Sequence, residues 1–153
     1  MTFRMDKTST DAVLPLIRKE FYAFRNGMIA DSLRKGGLEQ KYIFGLQLPQ
    51  IKEIAERFRP ATADEAASLA RSLWSDRGCR EARLLACHLM PPASMGRDEA
   101  AQWAADAATR EEADILAFRL IRHLGCAAET ADLLEASENP LHRYTSTAIR
   151  RFL

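Results

Sequence analysis

Thr62-Ala-Asp-Glu-Ala-Ala-Ser-Leu-Ala-Arg-Ser-Leu-Trp74 holds both a helix start and a helix face. Thr62 and Glu65 stand three apart, the spacing at which an N-cap hydroxyl and an N3 carboxylate satisfy each other's backbone N–H groups. Behind them Ala66, Leu69, Ala70, Leu73 and Trp74 recur at threes and fours, so one side of the helix is apolar and needs a cover. The same period extends outward in both directions. Upstream, Pro49 suits a first helical turn, Ile51, Ile54, Ala55 and Phe58 follow it, and Arg59-Pro60 ends that helix. Earlier still, Val13, Leu14, Ile17, Phe21 and Phe24 define a helix over 11–24. Asn26-Gly27 breaks it, and it resumes over 28–33 until Gly36-Gly37. Downstream, the pattern predicts helices over 77–90, stopped by Pro91-Pro92, over 97–108, and over 109–124, closed by Gly125. Two more follow over 127–136 and 140–153. No stretch alternates with period two, so the fold class is all-α.

The chain has 153 residues, which suits a single domain over 1–153. Apolar residues make up 47%, enough to offset the entropy of ordering and to disfavour intrinsic disorder. No apolar run is long enough to span a bilayer, and Met1-Thr-Phe-Arg-Met-Asp-Lys7 lacks the apolar core of a secretory leader, so a cytoplasmic location and no membrane partner are expected. Second helices of successive pairs begin near 80, 111 and 140, a repeat of about 30 residues. That period points to an α-solenoid, in which stacked helix pairs share a curved core and offer a concave binding surface. A plain helical bundle is the alternative.

Cys79, Cys87 and Cys126 have no CxxC spacing and lie within apolar helical patterns, so they read as small core residues. His88, His123 and His142 fall on three different helices, without the spacing of a metal site or a catalytic triad. Neither a metal nor a cofactor is expected.

The net charge of +1 conceals an uneven distribution. Residues 98–138 hold three basic and ten acidic side chains, a net of −7, whereas 1–60 carry +4 and 139–153 carry +3. Arginines outnumber lysines 17 to 5, and the guanidinium fork suits phosphate and carboxylate partners. On a helical wheel Arg80 and Arg83 share a face with Arg77 beside them, opposite Ala82, Leu85, Ala86 and Leu89. Arg143, Arg150 and Arg151 form a similar face, with Thr147, opposite Tyr144, Ala148 and Phe152. Arg119 and Arg122 supply a further rung. Such rungs either follow a nucleic-acid backbone or pair with the acidic helices on a solvated surface.

Two other features have a structural and a functional reading each. Glu111-Glu112-Ala113-Asp114 either complements a helix dipole or offers Asp114 or a glutamate as a general base or as the stabiliser of a positive charge on a sugar. Trp74 belongs to the apolar stripe of its helix and reads as core. Trp103, among alanines, either fills a gap between helices or stacks on a ligand.

Tyr42-Ile-Phe-Gly-Leu-Gln-Leu-Pro-Gln-Ile-Lys-Glu-Ile-Ala-Glu-Arg-Phe58 resembles the aromatic-Phe-Gly-Val-x-x-Pro-x-(Ile/Leu)-(Arg/Lys)-x-Ile-Ala segment of the AlkD-like DNA alkylation repair family. Leu73-Trp-Ser-Asp-Arg-Gly-Cys-Arg-Glu-Ala-Arg-Leu-Leu-Ala86 resembles its Leu-Trp…(Arg/His)-Glu-x-Arg-x-x-Ala segment, and Arg150-Arg151 its later paired arginines. The resemblance implies a HEAT-like α-α superhelix, a right-handed solenoid of antiparallel helix pairs whose concave Arg-lined surface holds duplex DNA. It also implies excision of N-alkylated purines, in which a carboxylate stabilises an oxocarbenium-like sugar without metal or cofactor. Asp114 is then the candidate catalytic carboxylate and Trp103 the candidate stacking residue. Arg77, Arg80, Arg83, Arg119, Arg122, Arg143, Arg150 and Arg151 are the candidate DNA contacts.

The chain departs from the family at its catalytic helix. The family has Trp before a short Asp-x-x-Asp, where this chain reads Glu111-Glu112-Ala113-Asp114-Ile115-Leu116-Ala117. In neither register are the aromatics and both acids retained, which leaves DNA binding as the expected function and glycosylase activity in doubt. The alternative is a noncatalytic helical module that binds a protein partner, a reading the acidic middle of the chain favours.

Overall fold

The computed structural model describes residues 7–153. Residues 1–6, most of the stretch read for a leader, lie outside them. The described chain is all-α, as its periodicity implies. Its nine α-helices run in order: α1 (Lys7–Ala23), α2 (Gly27–Lys35), α3 (Leu48–Phe58), α4 (Ala63–Trp74), α5 (Arg80–Leu89), α6 (Arg97–Asp106), α7 (Arg110–Arg119), α8 (Ala127–Glu135) and α9 (Pro140–Arg150). Short 3-10 turns lie at Pro92–Ser94 and Ile121–His123. The only extended pairing among the described residues is a single parallel bridge between Tyr42 and Cys79. None of the described helices is long and apolar enough to cross a membrane. The contacts divide the chain into two compact units, one up to Leu89 and one spanning Met90–Leu153.

In the first unit α4 is capped as its sequence predicts, with the Thr62 hydroxyl accepting from the Glu65 N–H at 3.2 Å. Its apolar face packs on α5, which also meets α3, while α1 lies against α3 and α4. Ile17, Phe21, Ile51, Ile54, Leu69, Leu84, Leu85 and Leu89 are all at most 1% exposed and form this core. Trp74 joins it at 5% exposure, as its place in the stripe implies.

The two segments that carry the family resemblance meet here. Phe44, Gly45 and Leu46 donate their backbone N–H groups to the Glu81 carboxylate, at 3.0, 3.1 and 3.4 Å. Arg80 completes the knot by donating to the Leu46 carbonyl at 2.9 Å and to Glu81. Gly45 makes the approach possible: its φ is +85°, and a Cβ there would lie 2.2 Å from the Asn26 carbonyl oxygen. The motif is therefore a structural clamp that holds an extended strap against α5.

Several helix ends differ from expectation. The α5 helix starts at Arg80 rather than 77, because Arg77 and Gly78 form a turn in which the Cys79 N–H reaches the Asp76 carbonyl at 3.1 Å. The α7 helix stops at Arg119 rather than 124. Leu120 leaves helical geometry at φ −127° and ψ −65°, and the tighter turn after it seats both Leu120 and Ile121 at 0% exposure. The α9 helix ends at Arg150 rather than 153.

In the second unit α9 packs on α7 and α8, and α6 packs on α8. Ala100, Ala104, Ala113, Leu116, Ala117, Leu120, Ile121, Ala131 and Ile149 are wholly buried. The Ser146 hydroxyl donates to the Ala131 carbonyl at 2.7 Å and ties α9 to α8. Cys79 and Cys87 are buried as expected, whereas Cys126 is half-buried.

Candidate nucleic-acid interface

The start of α7 fixes its acidic residues in different roles. Thr109 is the N-cap, its hydroxyl accepting from the Glu112 N–H at 3.1 Å, and the Glu112 carboxylate reaches back to the Ala108 N–H at 3.2 Å. Glu112 is 1% exposed and so serves as a cap, not as a solvent-facing base. Asp114, one turn along, is half-buried, and both its oxygens lie 2.9 Å from the Tyr144 hydroxyl of α9. The Arg110 guanidinium sits 4.8 Å from the centre of the Tyr144 ring. Partial burial and the negative Asp114 push the Tyr144 hydroxyl above its ordinary pKa, while Arg151 and Arg110 pull the other way.

Further along both helices a second cluster forms. Phe118 and Phe152 lie with ring centroids 5.6 Å apart, and they are 39% and 40% exposed. The Arg122 guanidinium is 4.2 Å from the Phe118 ring centre and 5.4 Å from that of Phe152, and Arg119 is 5.6 Å from Phe118. The pairs 114 with 144 and 118 with 152 advance together, so α7 and α9 run in the same sense. Their shared face presents Arg110, Asp114, Phe118, Arg119 and Arg122 from one side and Tyr144, Arg151 and Phe152 from the other.

Not every residue singled out in the sequence reaches that face. Asp114, Arg119, Arg122 and Arg151 come together there, and Arg122 and Arg151 are exposed. Arg143 is exposed on α9 and donates to the Glu138 carbonyl at 3.5 Å. Arg150 is exposed too, but it pairs with Asp132 and Glu135, each at 2.6 Å. Arg77 is exposed in the turn before α5.

Three expectations need correction. Arg80 and Arg83 do not line an open surface, being 5% and 0% exposed. Helix α5 is enclosed on nearly every side by α3, α4 and the 42–47 strap, so the side opposite its aliphatic stripe is buried as well. Arg80 is committed to the clamp, and Arg83 lies 3.9 Å from the centre of the Trp74 ring. Trp103 is 5% exposed, which resolves its two readings toward the core: it fills the second unit among small alanines and offers no ring to a ligand. The helical wheel sets Phe152 opposite the arginines, yet it shares their face, because α9 ends at Arg150 and the wheel has no hold on residues beyond that point.

Elsewhere, the first unit contains a pocket of about 320 Å³ bordered by Leu14, Ile17, Phe21 and Leu73, with the Arg18–Asp76 ion pair on its wall. No three His, Cys, Asp or Glu side chains gather as they would around a metal ion among the described residues.

The described chain is an all-α protein that gathers guanidinium groups and aromatic rings on one face. The sequence places it more narrowly: a family model described as DNA alkylation repair enzyme matches residues 17–149, and the chain belongs to that family. Comparison with curated proteins and with solved structures gave no match.

Proposed function

We propose that this protein binds duplex DNA through the α7–α9 face of its second unit, and that binding rather than base excision is its function. One observation carries the reading: Arg119, Arg122 and Arg151 gather around the ends of α7 and α9, where guanidinium forks can take phosphate oxygens. Membership in a DNA repair family supports it.

Excision needs more than a carboxylate. To stabilise a developing positive charge on the sugar, the acid must present its charge to the reacting bond. The Tyr144 hydroxyl lies within hydrogen-bond reach of both Asp114 oxygens and draws on that charge, and Trp74 and Trp103 are both buried in the core. Purified protein is therefore expected to shift a labelled duplex of about 20 base pairs at ~50 mM salt, where phosphate contacts are strongest. It is expected to release no methylated purine. Absence of any shift at that salt would remove the DNA reading. Release of methylated purine that is lost in Asp114→Asn would restore the enzyme.

The second reading, a module for a protein partner, draws on the net charge of −7 over 98–138, since acidic side chains repel phosphate. A stoichiometric partner retained after nuclease treatment would support it.

A further inference from the structure

We propose that Phe118 and Phe152 form a stacking platform for unpaired bases, so that the preferred ligand of the α7–α9 face is DNA with a locally opened or single-stranded segment. This inference rests on the DNA-binding reading above and specifies the class of DNA. The two large rings stay 39% and 40% exposed, while Leu116, Leu120 and Ile149 in the same part of the unit are at 0%. The backbone of an intact duplex offers phosphates and sugars, and guanidinium groups suffice for those. Exposed rings gain little from a phosphate. They do gain from the π face of an unstacked base, which any base presents regardless of sequence.

The cations around the rings decide the occupant. Arg122 touches both rings, Arg119 approaches Phe118, and Arg151 adjoins Phe152 in the chain. An apolar protein surface seated on the rings would strip water from these guanidiniums and supply no anion. The nearby Asp114 is engaged by Tyr144. A nucleotide strand brings a base for the rings and a phosphate for the arginines at every step along its length.

The test compares two labelled oligonucleotides of equal length and charge. One is a perfect duplex, and the other carries a central bubble of about four unpaired bases that includes 2-aminopurine. At ~50 mM salt the bubble is expected to bind roughly tenfold tighter than the duplex, with a change in 2-aminopurine emission as the base stacks. Phe118→Leu and Phe152→Leu should bring bubble affinity to the duplex value and abolish the emission change. Their duplex affinity should fall by less than their bubble affinity, because leucine keeps the apolar volume and the arginines are untouched. Arg122→Gln should weaken both ligands. Circular dichroism melts establish that each variant is folded.

Equal affinity of the wild type for bubble and duplex would overturn the platform and leave duplex binding standing. Binding to neither would overturn both. A dimer seen in light scattering and dispersed by Phe118→Ser would assign the rings to a second copy and likewise overturn the platform.

Discussion

Glu81 shows how much a single side chain can hold. Its carboxylate is 0% exposed, takes three consecutive backbone N–H groups and faces Arg80. Replacing it with glutamine keeps the size but removes the buried charge that faces the Arg80 guanidinium. Glu81→Gln is therefore expected to cost about 3–5 kcal/mol, read from urea unfolding. A loss below about 1 kcal/mol would mean that solvent reaches the clamp. Cys79, next to Arg80, gives a second residue-scale prediction. Burial pushes its thiol from the ordinary 9.0 up to about 11. The neutral thiol is favoured in the folded state, so its effect on stability is absent below pH 9. Stability then falls as the unfolded chain ionises between pH 9 and about 11, by about 2–3 kcal/mol. Cys79→Ala should flatten the pH dependence of denaturant midpoints over that range. At this scale the sequence was only partly legible. The burial of Trp74 followed from its stripe, but that of Arg80 and Arg83 did not. A wheel assigns one side of each helix to the core, and α5 has neighbours on nearly every side.

Elements were legible wherever a cap or a breaker was written into the chain. Thr62 with Glu65 starts α4, and α9 starts at Pro140 as read, where the structure adds a cap in which the side chain of Asn139 accepts from the Leu141 N–H at 2.9 Å. The end of α7 was not, because nothing in Leu120-Ile-Arg-His123 breaks a helix by propensity; packing of two adjacent apolar side chains ends it. The consequence reaches the proposed interface, since Arg122 lies in the turn that follows the stop, 4.2 Å from the Phe118 ring centre. The start of α7 sets the other end of that face. Thr109→Ala removes the acceptor for the Glu112 N–H and should destabilise the second unit by about 1 kcal/mol. It should also loosen Asp114 against Tyr144. The expected readout is a lower thermal midpoint together with a Tyr144 hydroxyl that titrates closer to its ordinary range, monitored by ultraviolet difference absorbance. An unchanged titration alongside a lowered midpoint would show that the pairing of Asp114 and Tyr144 does not depend on the cap.

Across the whole molecule, charge is nearly balanced, at +1 with an isoelectric point near 7.8. A chain this close to neutrality has no general attraction for polyanions, so the proposed binding rests on the few guanidiniums that converge. If Arg119, Arg122 and Arg151 each displace one counterion, the logarithm of the binding constant should fall with the logarithm of salt at a slope of roughly −3. A slope near −10 would require many contacts outside the α7–α9 face. The uneven distribution of charge was plain in the sequence, and the family was legible from 42–58 and 73–86. The role of those segments was not, because residues that look like a motif for a ligand bind each other instead.

That mutual binding has a bearing on how the protein is made. Phe44, Gly45 and Leu46 precede their common acceptor by 37, 36 and 35 residues. At about 5–20 residues per second, a ribosome releases the strap roughly two to seven seconds before Glu81 emerges. Through that interval three donors destined for the interior have only water or a chaperone to satisfy them, so the nascent first unit is most vulnerable to misassembly while α3 and α4 are already out and α5 is still being translated.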